Sequence, residues 1–170
     1  MKAILLGIAL LAIAGCGGKT PAEAARVHGI AATDAPGIDA CWRKALISPQ
    51  HQALKDKMGD HADSPTAAMK SNPARATPQE AGLLRSLQQD YLAPCRTMAL
   101  ASAAKVHPDI VAILTDSYAR ADANTARLVA REITWGEYVS ENQSIVTHRR
   151  AELLAAGEAM QREQVPPPKR

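Results

Sequence analysis

Apolar positions recur every three to four residues along most of this chain. Ile38, Cys41, Trp42, Ala45 and Leu46 fall at i, i+3, i+4, i+7 and i+8, which is one face of a helix. Ser48-Pro49 reads as a cap followed by a first-turn proline. Ala53, Leu54 and Met58 continue an apolar face, and Gly59 fits a helix stop. Residues 59–77 have no period and are rich in turn formers, so they predict a long loop. Thr77-Pro78-Gln79-Glu80 then carries a capping box with proline in the first turn. Leu84, Leu87, Tyr91, Cys95 and Met98 line one side of the helix that follows, and Pro94 should kink or break it.

His107-Pro108 marks the next boundary, because a residue before proline avoids the helical region. Ile110, Leu114, Ser117, Ala121, Asn124 and Leu128 alternate spacings of 4 and 3, a bundle seam. Thr134-Trp135-Gly136-Glu137 offers a second capping box, opening a helix to about residue 162. Trp135, Val139, Val146, Leu153 and Met160 are its expected inward positions. No strand-like alternation lasts more than a few residues. The pattern predicts an all-α domain over 38–164. It would be a small four- or five-helix bundle whose last three helices run up, down and up.

The N-terminus has a different pattern. Met1-Lys2 precedes a run of about 12 residues, Ala3 to Ala14, with no charged or strongly polar side chain. A spanning helix needs roughly 20. A basic start, a short apolar run and small residues describe a secretory signal. Ile13-Ala14-Gly15-Cys16 resembles the lipobox of bacterial lipoproteins. That resemblance implies cleavage after residue 15, acylation of Cys16, and a mature protein held to a membrane by its acyl chains. Two or more chains anchor stably where one does not. With Gly17 and no aspartate after Cys16, the expected location is the outer membrane, facing the periplasm. Residues 16–37 read as the lipidated cysteine and a flexible tether, with one short helix possible around Ala22–His28. Residues 165–170 are a Pro-rich tail. The segment "ITWGEY" at 133–138 is also similar to helical exported proteins of proteobacteria, a likeness that carries no activity across.

Composition narrows this picture. Phe is absent and aromatic residues make up 3 %, so the core must be aliphatic. The formal charge of +3 falls to +2 once Lys2 is removed, and acids and bases are interspersed. Nucleic-acid binding wants a basic stripe, and none is present. Cys41 and Cys95 remain after Cys16. In an exported protein an even pair suggests a disulfide, with a metal pair or inert thiols as the rival readings.

Candidate chemistry is sparse. No GxSxG or phosphate-binding loop occurs in the mature chain, and no Glu-x-x-His pattern for a diiron site. Met58, His61 and Asp63, with His51 and Met69 near, could suit copper, but no Met or His repeat supports it. Glu137 and Glu141 lie one turn apart and could face a substrate. The segment Asn142–Arg150 is polar between two apolar stretches, and Tyr138, Asn142 and Arg149 are the candidate partner-binding residues. The expectation is a membrane-anchored module that binds an envelope protein, without enzymatic activity, metal or cofactor. The alternative is an enzyme or a small-ligand or metal carrier whose site the sequence hides.

Overall fold

Capping chemistry sets where most helices of this chain start. The computed structural model describes residues 21–162, which form helices and connecting turns with no strand among them. Helix α1 is Pro21–Leu46, α2 Pro49–Met58, and α3 the single turn Ala67–Lys70. Helix α4, Pro78–Ser86, passes through a π-helical segment, Leu87–Leu92, into α5, Ala93–Ala104. Helices α6, Pro108–Val129, and α7, Trp135–Arg162, follow. Counting 78–104 as one path gives six helical units among the described residues, where four or five were expected. The signal segment 1–15, Cys16 and the tail at 165–170 lie outside the described residues.

The predicted starts are present in atomic detail. Ser48 Oγ accepts from the His51 N–H at 3.2 Å, with Pro49 in the first turn. The Thr77 hydroxyl accepts from the Glu80 N–H at 3.2 Å, and the Glu80 carboxylate accepts from the Thr77 N–H at 2.8 Å. Thr134 and Glu137 repeat the box at 3.2 and 2.7 Å. Gly59 ends α2 at φ 72°, a backbone that only glycine adopts without strain, and its N–H bonds the Lys55 carbonyl.

Three expectations need correction. Residues 21–37 are not a flexible tether but the first two-thirds of α1. Alanines favour the helix, and α5 holds its middle: Asp34 pairs with Lys105 at 2.8 Å, and Gly37 lies against Met98. Pro36 is accommodated inside it. Pro94 does not break the helical path. The π segment just before it shifts the ladder, so that the Ala93 N–H bonds the Gln88 carbonyl, and the flanking residues keep helical dihedrals. The loop at 59–77 contains α3 and then an extended run that docks on α7.

The long helices run antiparallel. Asp34–Lys105 and Cys41–Cys95 align α1 against α5 in opposite directions. The expected disulfide is present, with Cα atoms 5.5 Å apart. Gln50 to Ser86 and Lys57 to Glu80 do the same for α2 and α4. Helices α4–α5, α6 and α7 form the expected up-down-up core. Its centre is Trp135, fully buried among Leu54, Leu84, Leu128, Ile133, Tyr138 and Val139. The Trp135 and Tyr138 rings meet edge to face, 5.7 Å apart. Lys57 Nζ sits 5.5 Å from the Trp135 ring centroid.

The start of α7 is sealed by main chain. The Trp135 N–H bonds the Ala74 carbonyl at 2.8 Å, and the Gly136 N–H bonds the Asn72 carbonyl at 2.9 Å. These are two of the N–H groups a helix leaves unpaired at its first turn. The approach needs a bare α-carbon, because a Cβ on Gly136 would run into the Lys70 carbonyl oxygen.

Candidate partner surface on helix α7

The polar segment of α7 divides between two opposite sides of the helix. Ser140, Ser144, Thr147, His148 and Ala151 are exposed and share one face. They line a shallow, open depression together with Gln143. Its flank is fixed to the 59–66 loop, since Gln143 donates to the Asp63 carbonyl at 3.2 Å and Arg150 pairs with the Asp63 carboxylate at 3.0 Å. His148 pairs with Glu152 at 3.3 Å on the exposed surface.

Tyr138, Asn142 and Arg149 lie on the other side, at i, i+4 and i+11, facing the bundle. Tyr138 is 4 % exposed and belongs to the Trp135 core, so it is no surface contact. The reason is its spacing: at i+3 from Trp135 it must share the inward face. Asn142 is half-buried and serves the helix interface. Asn124, buried on α6, donates to the Asn142 side-chain oxygen at 3.0 Å and to the Tyr138 carbonyl at 2.9 Å. Those two bonds use both hydrogens of the Asn124 amide.

Arg149 is half-buried, and Tyr118 of α6 acts on its charge. Desolvation pulls its guanidinium below the usual arginine range, opposed by the Tyr118 phenol and reinforced by Arg96. Burial pushes the Tyr118 phenol up, and Arg149 and Arg96 draw it back. The Arg96 guanidinium stands 5.0 Å from the Tyr118 ring centroid and pairs with Asp122. Asp122 also accepts from Gln88. The sequence pattern did not single out Arg96 or Tyr118. Each follows a buried residue of its helix, Cys95 and Ser117.

The other candidates have structural partners. Glu137 closes the α7 capping box, and its carboxyl lies below the ordinary range because the Thr134 N–H and hydroxyl bond it. Glu141 stands 3.8 Å from Arg120. His51 is buried with Nε2 3.2 Å from the Gly59 carbonyl. Met58 and Met69 pack against the core, and His61 is exposed. The described residues hold no group of three or more His, Cys, Asp or Glu placed to bind a metal. No described helix is long and apolar enough to cross a membrane. Compared with known proteins, the chain matches no family model, no curated protein and no solved structure.

Proposed function

We propose that this protein is a lipid-anchored lipoprotein of the cell envelope whose helical domain binds another protein without turning over a substrate. Two features of the chain support the anchor. The Ile13–Cys16 box follows a short apolar run, and Cys16 stands five positions ahead of the first residue of α1. The outer membrane facing the periplasm is the location that fits Gly17 after the cysteine.

The observation that carries the binding half is the outward face of α7. Ser144, Thr147, His148 and Ala151 form a broad, open surface of mostly short side chains. Small-molecule sites are concave and enclose most of their ligand. A shallow helical face suits the surface of another folded protein, where short side chains lose little entropy on contact. Lipid attachment would raise the domain's effective concentration beside membrane-adjacent partners.

Two experiments test this. Cys16→Ser should move the protein from the membrane to the soluble fraction, and retention after a high-salt wash would sink the anchor. A photo-crosslinking residue placed at Ser144 or Thr147 in cells should give one discrete adduct. The same residue at Gln89, exposed on the π segment, should give none. Equal labelling from both sites would remove α7 as the contact surface. Hydrolase or transferase activity in the pure protein, abolished by a single substitution, would overturn the binding function as a whole.

A further inference from the structure

The start of α4 and the end of α6 meet at a half-enclosed cleft of about 210 Å³. It is lined by the apolar side chains of Ala76, Pro78, Ala81 and Val129, and by Arg85 and Arg131. A third arginine reaches the same place, where the Arg75 guanidinium donates to the Arg131 carbonyl. Arg127 stands one turn earlier on α6. All four arginines are exposed.

The carboxylates of the elements that meet here do not balance them. Glu80 is bonded by Lys57 and by the Thr77 N–H. Asp122 is taken by Arg96 and Gln88. Glu137 is bonded by Thr134, although the charges of Arg75 and Arg127 also act on it. Glu132 is exposed. Among the described residues no carboxylate pairs with Arg75, Arg85, Arg127 or Arg131. Two carboxylates, Glu132 and Glu137, against four guanidinium groups leave two positive charges in excess. Arg131 is also an unusual choice for its place. It ends α6 in the left-handed position, at φ 61°, where glycine carries no strain. An arginine there strains the backbone and has no acid partner within the described chain.

The cleft is smaller than the roughly 300–1,000 Å³ of small-molecule sites. It suits one inserted side chain rather than a whole ligand. Guanidinium groups match a carboxylate in bidentate fashion, and the apolar lining suits the methylenes of a glutamate. The cleft also lies far from the anchor. Asp34–Lys105 sets α1 beside the end of α5, and α6 then carries the chain back over 22 residues, roughly 33 Å, to the cleft. A membrane holding Cys16 would lie at the opposite end of the bundle, which favours a protein as the occupant.

We propose that Arg85 and Arg131, with Arg75 beside them, form a docking cleft for an acidic segment of a protein partner, one of whose glutamate side chains enters it. The protein as occupant rests on the binding function and anchor proposed above. The basic cleft does not.

Fluorescence anisotropy of a labelled hexaglutamate peptide, titrated with the full chain in a non-ionic detergent, tests the cleft. Saturable binding is expected, with labelled hexaglutamine silent over the same range. Arg85→Gln and Arg131→Gln should each weaken binding at least threefold. Arg43→Gln, which removes an exposed arginine of α1, should change it less than twofold. Arg131→Gly separates docking from architecture. It relieves the left-handed strain, so the melting temperature should rise while binding falls as it does in Arg131→Gln. No saturable binding, equal losses from Arg43→Gln and Arg85→Gln, or full affinity in Arg131→Gly would each overturn the cleft. Displacement of the peptide by phosphatidylglycerol in the micelles, at a lower concentration than by unlabelled hexaglutamate, would overturn the choice of a protein. Retention of the peptide there supports it. Crosslinking at Ser144 reads the outward face of α7 separately. Lost peptide binding beside an intact adduct strikes the cleft alone, and a lost adduct beside arginine-dependent peptide binding strikes the α7 surface alone.

Discussion

Two stretches of the same helix pair, α6 and α7, are built on different principles. Around Trp135 the interface is apolar and closed: Leu128, Ile133, Trp135, Tyr138 and Val139 are all buried. Around Tyr118 it is half-open and ionic: Leu114, Tyr118, Arg149 and Leu153 are all half-buried. Between them lies a polar layer of Asn124 and Asn142. The difference lies in what covers the pair. Helices α2, α3 and α4 pack on the Trp135 stretch. Beyond their reach α5 packs on α6, and α1 packs behind α5. A helix pair covered on fewer sides keeps its polar edges wet, and there long charged side chains become tolerable. The closed stretch owes its stability to packing, and the open one to a disulfide and ion pairs.

The largest expected effect breaks the closed stretch. Trp135→Ala should cost roughly 3–5 kcal/mol in denaturant unfolding. Tyr118→Ala, at a half-buried site, should cost less than half of that. Equal losses would erase the distinction between the stretches. Reducing Cys41–Cys95 acts on the open side, where it joins α1 to α5 across a sequence separation of 54. It should cost roughly 2–4 kcal/mol, with near-ultraviolet signals of Trp135 retained until the global transition. Loss of those signals on reduction alone would mean that the closed stretch depends on the bridge.

One substitution should change sign between the two ends of α7. Gly136→Ala drives a methyl group into backbone carbonyls and should cost about 1–3 kcal/mol. Gly157→Ala meets nothing within 4 Å and should stabilise by about 0.5–1 kcal/mol through helix propensity. Thermal melting of both variants checks this, and the same sign at both positions would contradict the sealed start of α7.

The smallest effect is acidic. Asp34, Glu80 and Glu137 all have folded pKa values below their ordinary 3.8 and 4.5. The Lys105 ammonium bonds Asp34. Partial burial would raise Glu80, but bonds from Lys57 and Thr77 outweigh it. Bonds from Thr134 lower Glu137. A depressed folded pKa gives stability that is complete above the unfolded value and lost as pH falls through the folded one. Stability should therefore decline below about pH 5. Glu80→Gln with Glu137→Gln should flatten that decline in pH-dependent urea titrations. An unchanged slope would remove both boxes as its source.

What the sequence made legible was local. Thr77 with Glu80 and Thr134 with Glu137 are three residues apart, and the Leu84–Cys95 and Leu114–Leu128 seams follow from period alone. What escaped it depends on distant contacts. Residues 21–37 carry Gly29, Pro36 and Gly37, which read as breakers, yet pairing with Lys105 and packing on Met98 hold the helix there. The end of α6 carries no glycine signal. Arg131 takes the left-handed position at φ 61°, while Glu132 N–H bonds the Arg127 carbonyl and Arg131 N–H bonds that of Leu128. The polar run after Tyr138 suggested a surface, but its Tyr, Asn and Arg point inward. Arg149 was found for its chemistry and misplaced in its direction. Arg96 and Tyr118, which act on its charge, lie far away in sequence, on α5 and α6.

The Cys41–Cys95 bridge also decides how this molecule would carry a mechanical load. Tension entering along α1 reaches Cys41 and crosses the sulfur bond to Cys95. It continues through α5, α6 and α7. Helices α2, α3 and α4 lie inside the closed covalent loop, off that line of force. Stretched from its two ends, the oxidised protein would pay out chain from α1 and α5–α7 and never from the segment between the cysteines. Reduction would add that segment to the extension, a longer step that single-molecule pulling would resolve.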